Sequence, residues 1–102
     1  MNKLYRKGYY YERKVKKLLE NQGYLVWRSP GSKSPIDIIA IDDKGFVRLI
    51  QVKGHTKISK EELKTLKSLA EKFKDISHVE IGLWIFKGRK PIIYDKKALL
   101  NL

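Results

Sequence analysis

Residues 28–53 read RSPGSKSPIDIIAIDDKGFVRLIQVK. Two apolar runs, Ile36–Ile41 and Phe46–Lys53, flank Asp42-Asp43-Lys44-Gly45, a composition that turns a chain back on itself as a hairpin. If the runs pair symmetrically about Lys44, Asp37 falls opposite Gln51. Side chains alternate along a strand, so Gln51 and Lys53 share a face and Val52 points away. A carboxylate, an amide and an ammonium then converge at one end of the hairpin. Sheet formation alone does not call for that much polar chemistry. Arg28 to Pro35, with two prolines and a glycine, reads as an irregular loop.

Working outward, residues 2–22 have the spacing of an amphipathic helix, with Tyr11, Val15, Leu18 and Gln22 on the period and Gly23 as its stop. Tyr24–Trp27 reads as a short strand. After the hairpin, Gly54–Lys57 is a loop, and Ser59 with Glu62 forms a capping box. The helix beginning there carries Leu63, Leu66, Ala70 and Phe73 on one face. Val79–Phe86 is a strand, apolar on both faces in its second half. Pro91–Tyr94 is an edge strand, where a leading proline is tolerated, and Asp95 caps a short C-terminal helix. The fold class is α/β: a single mixed β-sheet flanked by helices in the order αβββαββ, followed by that short helix. With 102 residues, one domain over 1–102 is expected. Leu83–Phe86 and the leucine-rich tail are the apolar patch expected to be covered by a second copy.

Lys plus Arg number 23 against 11 Asp plus Glu, a net charge of +12. Such an excess suits a polyanionic partner, because binding phosphates releases counterions. The basic residues run through every segment, which favours nucleic acid over a membrane surface. There is no cysteine, so disulfides, thiolate catalysis and cysteine zinc sites are excluded. No apolar run is long enough to span a bilayer and no signal-peptide core is visible, so a cytoplasmic protein is expected. His55 and His78 do not make a zinc site, and no His-Asp pattern accompanies Ser29, Ser32 or Ser34 to make a serine nucleophile. An oxygen-rich cluster with a neighbouring lysine suits Mg²⁺ or Mn²⁺ and phosphodiester hydrolysis.

Five features together carry a family likeness. They are Arg6-Lys7-Gly8 with Glu12-Arg13, Gly23-Tyr24, the Arg28–Lys33 loop, Ile36–Ala40, and Gln51-Val52-Lys53. This pattern resembles the PD-(D/E)XK nuclease superfamily, with its restriction-endonuclease-like core, and within it the archaeal Holliday junction resolvases. The likeness is close over residues 6–54. It implies a Mg²⁺- or Mn²⁺-dependent endonuclease that acts as a homodimer on branched DNA, four-way junctions above all. By the same resemblance Asp37 is the central metal ligand, joined by the Val52 carbonyl and by the residue at 51. Lys53 is the catalytic lysine. Glu12 reaches a water on the metal or a second metal, and Ser32 lies in a loop near the scissile phosphate. Arg6, Lys7, Arg13, Arg28, Ser29, Lys33, His55 and Lys57 are the DNA-contact candidates. The chain departs from the pattern at Gln51, where the family has Glu. An amide oxygen still coordinates a hard cation but brings no charge. Gln here resembles some active branches, including a transposon-end endonuclease subunit. Two other readings therefore stand beside the first: a non-catalytic DNA-binding module on the nuclease fold, and a restriction-type or mobile-element endonuclease.

Overall fold

The computed structural model describes residues 3–29, 35–54 and 58–102, with side chains from Tyr9 onward. Its elements are α1 (Lys3–Asn21), β1 (Leu25–Arg28), β2 (Ile38–Ile41), β3 (Val47–Gly54), α2 (Lys60–Lys72), β4 (Val79–Phe86), β5 (Pro91–Tyr94) and α3 (Lys96–Leu100). The five strands form one sheet in the order β1-β2-β3-β4-β5. Neighbours are antiparallel except β3 and β4, which run parallel. A parallel pair needs a crossover, and α2 provides it. This is the expected mixed α/β sheet, with Pro91 leading an edge strand.

The hairpin register comes from its turn. Asp42 Oδ1 accepts the N–H groups of Lys44 at 2.9 Å and Phe46 at 2.8 Å. Gly45 sits at φ +84°, a backbone region that glycine enters at little cost. The pairing that results is Ile38 with Ile50 through Ile41 with Val47. One step further, beyond the end of β2, the regular ladder gives way: the Asp37 N–H donates to the carbonyl of Ile50, the partner of Ile38, instead of Asp37 pairing with Gln51 as symmetric pairing about Lys44 predicts.

Alternation along β3 and β4 sorts the core into two layers. Ile50, Val52, Trp84 and Phe86 pack under α1 with Val26, Ile38 and Ala40. Ile81, Leu83 and Ile85 pack with Leu66, Ala70 and Leu99 from α2 and α3. Two sequence expectations need correction. The buried stripe of α1 is Tyr11, Val15 and Leu19, while Leu18 is 46 % exposed and Leu19 not at all. Gln22 is exposed as well. Both leucines fit a helical period. The i, i+4, i+8 choice wins because it lies over the sheet, and each aliphatic side chain buried there contributes about 1.5–3 kcal/mol. Leu83–Phe86 is not an apolar patch awaiting a second copy. All of its side chains are buried within the chain, as is Leu99 of the tail. A strand apolar on both faces is the mark of a central strand covered on both sides.

One close approach sets where α1 meets the sheet. A Cβ on Gly54 would lie 2.5 Å from the Tyr11 ring. Tyr11 also stacks on Phe86, with ring centroids 4.8 Å apart. The bare backbone of Gly54 thus lets α1 settle on the end of β3, bringing Glu12, the next residue, toward that end.

Candidate active site

At the end of the hairpin β2 stops one residue short of Asp37, and the carboxylate takes over where the backbone ladder ends. Asp37 N–H donates to the Ile50 carbonyl at 2.9 Å. Asp37 Oδ2 accepts the Val52 N–H at 2.8 Å. Ser29 N–H donates to the Asp37 carbonyl at 2.8 Å, tying the mouth of the loop to the same residue. The Asp37 carboxyl is pushed up from its ordinary 3.8 to about 6. Burial is the main cause; the Val52 hydrogen bond opposes it, the Glu12 charge adds to it, Lys53 opposes and Glu62 adds.

Gln51 and Lys53 point to the α2 side of the sheet, as alternation requires. There they meet Glu62, which the sequence pattern places only in the capping box. Ser59 Oγ accepts the Glu62 N–H at 3.1 Å, and Glu62 Oε1 accepts the Ser59 N–H at 3.2 Å, so the box is real. The other oxygen, Oε2, accepts from Gln51 Nε2 at 3.1 Å and pairs with Lys53 Nζ at 2.5 Å. Burial pushes the Glu62 carboxyl up, but hydrogen bonds from Lys53 and Ser59 outweigh it and hold the group below its ordinary value. The signal for Glu62 lies in its spacing. α2 starts soon after β3, so its N-terminal turn must abut the end of that strand.

Gln51 is only 6 % exposed. Its Oε1 is buried and has no hydrogen-bond partner among the described residues. A folded interior rarely leaves such an acceptor unmatched, and each one costs about 1–3 kcal/mol. A hard cation wants an oxygen of this kind. Asp37, the Val52 carbonyl and Gln51 Oε1 thus fit a divalent metal by donor chemistry. Among the described residues no three acidic or imidazole groups form a ready-made metal cluster, so neutral oxygens must complete the set.

Glu12 and Arg28 stand on the α1 side. Arg28 Nε and a terminal nitrogen donate to Glu12 Oε1 at 3.3 and 3.1 Å. The guanidinium of Arg28 also lies 4.2 Å from the centroid of the Tyr9 ring, and that of Arg13 lies 5.5 Å from it. Glu12 therefore reaches Asp37 through its charge, while one of its oxygens is held by Arg28. A groove of about 340 Å³ lined by Tyr9, Arg13, Lys16, Lys17, Glu20 and Arg28 runs along this face. Ser32, Lys33, His55 and Lys57 lie outside the described residues, and of Arg6 and Lys7 only the helical backbone is described.

The family model for archaeal Holliday junction resolvases (Hjc) matches residues 3–87. The chain belongs to this resolvase family. A crossover junction endodeoxyribonuclease Hjc from Methanocaldococcus jannaschii is 43 % identical over 77 residues, which cover 72 % of this chain and 56 % of that protein. The resolvase-family chain thus spans little more than half the length of this relative. The solved structure of Archaeoglobus fulgidus Hjc, a Holliday junction resolvase from an archaeal hyperthermophile, matches with a TM-score of 0.59 at 23 % identity. That match covers 80 % of this chain and 70 % of the other, and it establishes a shared fold. The resolvase-family model spans every element from α1 through β4, including both halves of the hairpin. Among the described residues no helix is long and apolar enough to cross a membrane.

Proposed function

We propose that this chain is a metal-dependent endonuclease that hydrolyses phosphodiester bonds in branched DNA, four-way junctions foremost. The observation that carries the reading is the cluster at the end of β3. There Asp37 and the unpartnered Gln51 Oε1 offer oxygens to a cation beside Lys53, in a chain of the resolvase family. Mg²⁺ or Mn²⁺ would be held by Asp37, Gln51 and the Val52 carbonyl. When bound it supplies Lewis acidity toward a phosphodiester oxygen and acidifies water.

The chain's own groups do the rest. Lys53, held in place by Glu62, presents an ammonium to the negative charge that develops on the phosphate. Glu12 holds Arg28 and so fixes a guanidinium at the edge of the site. Arg13, Lys16 and Lys17 along the α1 groove take the flanking phosphates, which position a duplex without reading its sequence. Resolution needs two nicks in opposing strands, so the working unit is a symmetric homodimer. A monomer in sedimentation at micromolar concentration would count against it.

The test is a nicking assay on four-way junction, flap, single-stranded and linear duplex DNA with Mg²⁺, Mn²⁺ or chelator. The junction should be nicked fastest, only with metal, and Asp37→Asn should lower the rate by about a hundredfold or more. Nicking by Asp37→Asn at the wild-type rate would sink the reading. Faster cutting of linear duplex would overturn the substrate while leaving the chemistry. A specific observation supports a second reading, a DNA-binding module without cleavage: no three acidic or imidazole groups cluster among the described residues. Cleavage that appears only in Gln51→Glu would establish that alternative.

A further inference from the structure

Glu62 carries more than a helix cap. A carboxylate only accepts hydrogen bonds, whereas an amide has one donating and one accepting end. With Glu62 Oε2 taking the bond from Gln51 Nε2 at 3.1 Å, the amide cannot turn over without setting its oxygen against a carboxylate. Gln51 Oε1 is thereby committed to the other side, where it is buried and unpartnered among the described residues. The same Oε2 holds Lys53 Nζ. One carboxylate oxygen therefore orients the neutral ligand candidate, anchors the lysine and places a negative charge beside an amide that has none. The capping role occupies the other oxygen, Oε1, so the two roles do not compete.

We propose that Glu62 is a positioning residue for divalent-metal binding: it fixes the Gln51 amide so that Oε1 is offered to the cation, and it supplies next to that amide the charge Gln51 lacks. The inference rests on the metal-dependent reading of the site. It makes residues 51 and 62 a pair whose members are exchangeable. A carboxylate at 51 receiving a bond from an amide at 62 reverses the hydrogen bond and keeps the total charge.

The experiment is Mn²⁺ titration of the intact chain without DNA, following the electron paramagnetic resonance signal of free Mn²⁺. Wild type is compared with Asp37→Asn, Glu62→Gln and the exchange Gln51→Glu/Glu62→Gln. Thermal midpoints in chelator are recorded alongside, since glutamine also closes a capping box and should leave α2 stable. Loss of an outer partner that orients a ligand costs about tenfold or more in metal affinity. Glu62→Gln should therefore weaken Mn²⁺ binding by about that factor with little change in midpoint, and the exchange should restore most of it. If Glu62→Gln binds Mn²⁺ like wild type, or if a folded exchange variant recovers nothing, the inference falls while an Asp37-dependent site keeps the metal reading. If wild type binds no Mn²⁺, or binds it regardless of Asp37→Asn, both fall.

Discussion

Two polar clusters lie at opposite ends of the β3–β4 pair, and they differ in how completely they are satisfied. At the start of β4, Lys96 Nζ donates to the carbonyls of Phe73, Ile76 and Val79 at 2.8, 2.9 and 2.7 Å. Glu80 Oε1 accepts the N–H groups of Ile81 and Lys96. All three ammonium protons have acceptors, and the cluster ties the exit of α2 to the entry of α3. At the far end of β3, Gln51 Oε1 has no partner among the described residues and Asp37 is held near a pKa of about 6 by burial. A closed cluster stabilises the fold, whereas an open one carries a cost that folding alone does not explain. Buried Arg48 Nε and Trp84 Nε1 also lack partners among the described residues, so it is the cation-ready oxygens of Gln51 and Asp37 beside Lys53, and not the missing bond alone, that set the open cluster apart as a candidate site.

The strongest way to break the comparison is to open the closed cluster. Lys96→Met keeps the aliphatic stem and removes the ammonium, so three carbonyls lose a charged donor, while those of Phe73 and Ile76 keep the N–H groups of Ile76 and Val79. The expected loss is about 2–4 kcal/mol in urea unfolding, with nicking per folded molecule unchanged. A loss of stability within experimental error would mean that those carbonyls are readily rehydrated. The closed cluster would then be no more structural than the open one.

Much of the open cluster is legible in the residue pattern alone. The turn at Asp42–Gly45 defines the register, and register brings Asp37 to the Ile50–Val52 stretch of β3 and puts both Gln51 and Lys53 on one face. What stays hidden depends on packing. Leu18 and Leu19 fit the helical period equally, and only the sheet's position chooses between them. Leu83–Phe86 reads as an interface because a strand buried on both faces and one awaiting a partner share the same apolar run. Glu62 is hidden by a correct explanation: the capping box with Ser59 accounts for its place in the chain, but for only one of its two oxygens. The ion pair of Arg28 with Glu12 joins two separate elements, and no local pattern announces it.

A smaller effect should sharpen the comparison by linking packing to the open cluster. Gly54→Ala places a Cβ 2.5 Å from the Tyr11 ring, so α1 must shift or Tyr11 must leave its stack on Phe86. Overpacking of this kind costs about 1–3 kcal/mol. Because Glu12 adjoins Tyr11, the displaced helix also changes the Glu12–Asp37 spacing. Nicking per folded molecule should therefore fall as well, unlike Lys96→Met, where stability alone suffers. A Gly54→Ala protein that is destabilised but fully active would uncouple α1 from the site.

The smallest effect concerns the cost of the open cluster itself, measured in chelator. The folded Asp37 carboxyl is raised from 3.8 to about 6, first by burial. The folded state therefore holds its proton more tightly than the unfolded chain does. Below about pH 4 both states are protonated there, and the residue carries no charge penalty. As pH rises from about 4 to 6 the unfolded state ionises first and stability is lost; above about pH 6 the penalty is complete. Asparagine keeps an oxygen for the Val52 N–H and never ionises. Asp37→Asn should thus be more stable than wild type by about 1 kcal/mol at about pH 7, allowing for partial solvent screening. It should lose that advantage by about pH 4. The same substitution that is expected to lower nicking by about a hundredfold or more would then strengthen the fold, as expected when a charge is retained for chemistry at the expense of stability. An advantage independent of pH would place its origin in packing. An Asp37→Asn protein less stable than wild type near neutral pH would show that the Val52 hydrogen bond to a charged acceptor outweighs burial, and Asp37 would then count among the structural charges with Lys96 and Glu80.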